Sequence, residues 1–106
     1  GPILATNGFY TALQENKCAE ARSYLDGSSL TAVDYCARWK ALVNEGNTTV
    51  GSSDGSVSIV NGVATLGWRM DAGGYVHRVD VRLQERGGKW KITGAFPDLL
   101  PEPRSQ

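Results

Sequence analysis

Between Ser56 and Phe96, apolar and polar residues alternate in four runs separated by three glycine-bearing junctions: Asn61-Gly62, Ala72-Gly73-Gly74 and Gly87-Gly88. A period of two marks half-buried strands, and Asn-Gly between Val60 and Val63 is the strongest short-range signal for a two-residue hairpin turn. The stretch is therefore predicted to form a four-stranded antiparallel meander. Its first turn sets Val60 opposite Val63, Ile59 opposite Ala64 and Val57 opposite Leu66. Closing the second with Asp71 opposite Gly74 puts Met70 opposite Tyr75, Trp68 opposite His77 and Leu66 opposite Val79. The third sets Arg86 opposite Lys89, Glu85 opposite Trp90, Leu83 opposite Ile92 and Val81 opposite Gly94.

All three turns agree on one apolar face: Val57, Ile59, Ala64, Leu66, Trp68, Met70, Tyr75, His77, Val79, Val81, Leu83, Trp90, Ile92 and Phe96. A one-residue slip at any turn would carry a strand's whole apolar set to solvent, so the agreement is evidence for the register. The opposite face reads Ser58, Thr65, Arg69, Arg78, Asp80, Arg82, Gln84, Lys91 and Thr93. It is either a solvated sheet face or a surface for a second subunit or an acidic partner. Thr48-Thr49-Val50 is either an extra edge strand or part of a loop, and the proline-bearing tail, residues 97–106, is expected to wander over the surface.

The first half changes period. Ala5, Phe9, Ala12 and Leu13 mark one face of a helix from Leu4 to Glu15; Cys18, Ala21, Tyr24 and Leu25 mark a second, short helix ending at Asp26-Gly27. Ser28 and Ser29 fill a turn. Thr31 then acts as a cap, with Asp34 in the first turn of a third helix from Ala32 to Asn44. The inward side of that helix carries Ala32, Tyr35, Cys36, Trp39, Leu42 and Val43, with Arg38 outward. The fold class is α+β, with N-terminal helices packed on one face of a curved four-stranded meander.

A chain of 106 residues holds one core. Eleven basic and eleven acidic residues cancel, so no global field attracts nucleic acid or anionic lipid. No apolar run approaches the roughly 20 residues that span a bilayer. Gly1-Pro2 looks like the remnant of a cleaved tag, which leaves room upstream for a signal, lipid anchor or membrane helix. Cys18 and Cys36 allow one disulfide, implying an oxidising compartment, or else are two buried thiols. With the lone His77 they make no recognisable metal set, and nothing in the sequence calls for a cofactor.

The order of elements, with Phe9-Tyr10-Thr11-Ala12-Leu13, the helix from Cys18 to Leu25 and the closing Gly-Lys-Trp-Lys-Ile strand, resembles the nuclear-transport-factor-2-like superfamily of cystatin-like fold. Within that group it is most similar to small bacterial lipoprotein and membrane-anchored domains. The resemblance covers Leu4 to Phe96 and implies a cone-shaped body with a pocket opening among the helices. Members include isomerases, dehydratases and hydrolases as well as ligand-binding or accessory domains, and fold alone does not choose among them.

The inward polar inventory is short: His77, Tyr24, Tyr35 and Tyr75, with no aspartate in mid-strand. Glu85, beside a turn, reads as a solvated cover for Trp90. A general acid or base needs a matched pKa and an orienting partner, and His77 has no evident carboxylate. The expected function is thus a non-catalytic extracytoplasmic domain for a partner protein or a small apolar ligand, lined by His77, Trp68, Tyr75, Tyr35, Tyr24, Trp39 and Met70. An isomerase-like or hydratase-like enzyme using His77 and the tyrosines is the alternative, and a homodimer through the outer sheet face is compatible with both.

Overall fold

The computed structural model describes residues 1–104. Four helices, α1 (Pro2–Gln14), α2 (Cys18–Ser23), α3 (Ser28–Thr31) and α4 (Tyr35–Glu45), precede four strands, β1 (Thr49–Val60), β2 (Val63–Ala72), β3 (Tyr75–Arg86) and β4 (Lys89–Phe96). The strands form one antiparallel sheet in chain order, β1-β2-β3-β4, not closed into a barrel. The α+β expectation and the meander hold. α1 packs across the inner face of the sheet against β1, β2 and β4.

Each helix boundary has a local cause. Pro2 opens α1, where its missing N–H costs nothing. Gly8 is tolerated within α1 because the Tyr24 ring lies where a Cβ would sit. Ser28 and Ser29, expected as a turn, and Thr31, expected as a cap, belong to a one-turn helix, Ser28–Thr31, and the Thr31 hydroxyl donates to the Gly27 carbonyl at 3.0 Å. The cap of the next helix therefore falls to Asp34, whose carboxylate accepts from the Ala37 amide at 3.0 Å, and α4 starts at Tyr35 instead of Ala32. Its inner stripe is Tyr35, Trp39 and Leu42, while Val43 is turned outward.

The first hairpin has the expected register: Val60 pairs with Val63, Ile59 with Ala64 and Val57 with Leu66. The second is shifted by two residues, so that Ala72 faces Tyr75, Met70 faces His77, Trp68 faces Val79 and Leu66 faces Val81. Both Gly73 and Gly74 take positive φ, 60° and 85°, which makes them the two central residues of the turn; Ala72 would be strained in that role. A shift of two preserves the face, so the apolar set stays inward. The third hairpin matches as far as Leu83–Ile92 and then carries a bulge at Thr93, pairing Arg82 with Gly94 and Val81 with Ala95. The extra residue reverses the alternation beyond it. Phe96, expected inward, lies opposite Asp80 and is 69% exposed.

β1 is longer than expected and takes in Thr49 and Val50 but not Thr48, with irregularities between Thr49 and Ser52 and between Ser53 and Val57. Gly51 permits the first of these, since a side chain there would collide with the Arg69 carbonyl. Val57 and Ile59 sit on the inner face, but at the sheet margin the helices leave them 41% and 57% exposed.

The largest departure is the tail. Leu99 and Leu100 are completely buried in the same core cluster as Phe9, Tyr10, Trp68 and Met70, so residues 97–104 do not simply wander over the surface. Leu99→Ala is expected to lower the stability measured by urea unfolding by about 2–5 kcal/mol. A surface tail would change by less than about 0.5 kcal/mol.

Candidate functional site

The space between helices and sheet is occupied by aromatic side chains. Tyr10 on α1 stacks on Trp68 of β2, ring centroids 4.9 Å apart and planes 13° from parallel, and Phe9 meets Tyr10 and Tyr35 edge-on. The indole N–H of Trp68 donates to the Val50 carbonyl at 2.6 Å, and the Tyr10 hydroxyl donates to the Leu99 carbonyl at 2.6 Å. Every buried side-chain N or O among the described residues has a hydrogen-bond partner. The interior is packed and satisfied.

At its mouth, Asp98 fastens the tail. One carboxylate oxygen accepts from the Tyr35 hydroxyl at 2.8 Å and from the Leu99 amide at 2.8 Å. The other accepts from Arg38 at 2.9 Å, and Arg38 also donates to the Leu100 carbonyl at 3.1 Å. Arg38, expected outward, is thus drawn over the Tyr35 ring to clamp the tail. Burial raises the Tyr35 phenol pKa, with the Asp98 hydrogen bond and charge adding to it and Arg38 offsetting part. Burial likewise raises Tyr10, with smaller contributions from Tyr35 and Asp98.

The seven residues expected around one ligand are dispersed. Trp68, Met70, Trp39 and Tyr35 are buried. Tyr24 is half-buried beside Leu4 and Trp90 in a surface recess at the start of α1. Tyr75 reaches the inner face at its open end, where it is 57% exposed and the Arg104 guanidinium lies 4.4 Å from its ring centroid. His77, half-buried, lines a small recess with Val79, Pro97, Asp98, Leu100 and Glu102, and no tyrosine lines that recess. Sequence reasoning missed Tyr10, Arg38 and Asp98. The signal for the last was the Leu99-Leu100 pair, an apolar step inside a proline-rich segment.

A further opening, lined by no strand residue, lies among the helices. A cleft of about 410 Å³ is lined by Phe9 and Leu13 of α1, Cys18, Ala19, Ala21 and Arg22 of α2, Leu25, Thr31 to Asp34, and Tyr35 and Cys36 of α4. A Cys18–Cys36 disulfide joins its walls, Cα atoms 5.8 Å apart. Tethering residues separated by 18 positions stabilises the fold by about 3 kcal/mol on the chain-entropy model. The lining is mainly apolar, with Arg22, Thr31 and Asp34 supplying polar groups. Of the seven expected ligand residues, it includes only Tyr35.

Comparison with protein-family models, curated proteins and solved structures finds no match. Among the described residues, no group of three His, Cys, Asp or Glu could hold a metal, and no helix is long and apolar enough to cross a membrane.

The two buried phenols give a pH signature. Unfolded tyrosine titrates near about 10. Because both folded values lie higher, their contribution is intact below about pH 10 and is lost as pH rises from there toward the folded values. Thermal melts from pH 8 upward should therefore fall less steeply above about pH 10 in Tyr10→Phe than in the parent protein. At neutral pH the same variant should be less stable by about 1–3 kcal/mol, through the buried Leu99 carbonyl left without its donor.

Proposed function

We propose that this chain is a non-catalytic extracytoplasmic binding domain of the nuclear-transport-factor-2-like kind. In this reading it seats an apolar group, from a partner protein or a small ligand, in the cleft beside the disulfide. The observation that carries the proposal is the cleft itself: an apolar-lined opening of about 410 Å³ with charged groups at Arg22 and Asp34. That size falls within the range of ligand sites, and the mix of apolar walls with a few polar groups is their usual chemistry. The sheet interior, by contrast, holds Tyr10, Trp68, Leu99 and Leu100 where a ligand would lie. The disulfide supports an oxidising compartment.

The isomerase-like or hydratase-like alternative requires His77 and a tyrosine on one opening. Here Tyr35 turns its hydroxyl to Asp98, and the His77 recess is lined by residues 97, 98 and 100–102 of the tail. That arrangement favours binding without chemistry.

The hydrophobic probe 8-anilinonaphthalene-1-sulfonate should bind the folded protein saturably at one site. Binding should be lost in Ala19→Trp, which fills the cleft from the exposed side of α2, and retained in His77→Gln. Equal binding by the parent protein and Ala19→Trp, or no binding by the parent, would remove the cleft from consideration.

A further inference from the structure

The two edges of the sheet are finished differently. On β4, the chain covers its own edge: the Ile92 amide donates to the Tyr24 carbonyl at 2.7 Å and the Ile92 carbonyl accepts from the Asp26 amide at 2.9 Å. Leu25 thereby forms a parallel bridge to Ile92, and Lys91 reaches across to the Ser23 carbonyl. The N-terminal half of β1 is also blunted, by its two irregularities. These are the usual devices that stop a sheet edge from recruiting another strand.

The segment Val57 to Val60 has none of them. It is regular, paired among the described residues with β2 on one side only, and contains no charge or proline. Val57, Ile59 and Val60 are 41%, 57% and 63% exposed. From Gly55 to Val63 no residue is charged. The backbone phase is fixed by the hairpin. Asn61 and Gly62 have φ of 51° and 77°, a two-residue turn whose flanking pair, Val60 and Val63, exchanges hydrogen bonds. Alternation then turns the N–H and C=O of Val57 and Ile59 away from β2, toward the open edge.

We propose that this edge pairs with the same edge of a second copy, as a two-fold antiparallel β1–β1 ladder centred on Ser58. In that register Val57 and Ile59 of one protomer exchange backbone hydrogen bonds with Ile59 and Val57 of the other, satisfying all four edge groups on each chain. Their side chains continue the inner-face row Val57–Leu66–Val81 across the axis. Ser58 faces its own copy, and its small side chain suits the closer, non-hydrogen-bonded pair. The strip from Gly55 to Val63 carries no charge, so no like charges meet across the axis. A two-fold axis demands a self-complementary strip, and this uncharged strip is one. Stacking the outer faces would instead set Arg69, Arg78 and Arg82 against their own copies.

The test is symmetric cross-linking. Ser58→Cys places two thiols across the axis at a separation compatible with a disulfide, roughly 4.5 Å between Cα atoms. Pairing holds them at an effective concentration on the order of millimolar, so under mild oxidation Ser58→Cys should form covalent dimer about tenfold faster than the exposed control Ser29→Cys. Adding Ile59→Lys should return the rate to that of the control. Sedimentation of the unmodified protein should show mass rising toward twice the monomer with concentration. A constant monomer mass across the series, or equal cross-linking of Ser58→Cys and Ser29→Cys, would overturn the proposal.

Discussion

The structure depends on covering the inner face of a sheet whose middle strands are ten and twelve residues long with helices of only four to thirteen residues. Burial of apolar surface is the dominant favourable term in folding, and two short helices and two longer ones do not close that face. The Tyr10–Trp68 stack fills its centre, and Leu99 and Leu100 fill what remains. The polar groups brought in with them are each matched: Tyr10 to the Leu99 carbonyl, Tyr35 and Arg38 to Asp98. Helix, sheet and tail thus share one core.

Most of the sheet was legible because turns and alternation are local. The Asn61-Gly62 turn and the faces of the alternating residues from Val57 to Ile92 could be read directly. Which two residues occupy the centre of Ala72-Gly73-Gly74 was less evident, and the choice moved the pairing of β2 and β3 by two positions without changing the face. The bulge at Thr93 leaves no comparable mark in the sequence, so Phe96 reads as inward by alternation while it lies outside. The tail was misread because prolines describe backbone freedom, not burial. Leu99 and Leu100 have nothing periodic about them, and only tertiary packing shows where they go.

The candidate site was harder to read for the same reason. Facing residues could be assigned from alternation, but whether they surround a space depends on what fills it. Trp68 and Met70 do face inward, against side chains rather than a cavity. The apolar cleft lies elsewhere, where α1, α2, α3 and α4 meet, bounded by a disulfide that joins two helices. The proposed binding role rests on a filled interior with an apolar cleft outside it.

A filled interior requires Leu99 and Leu100 of the tail to occupy the inner face in solution. Nuclear Overhauser spectra of methyl-labelled protein would report it directly. Cross-peaks from the Leu99 and Leu100 methyls to core aromatic rings, with methyl shifts displaced by ring currents, are the expected result. Methyl shifts of an unfolded chain at both leucines, with no contacts to the core, would contradict it and return the inner face to use as a binding cavity.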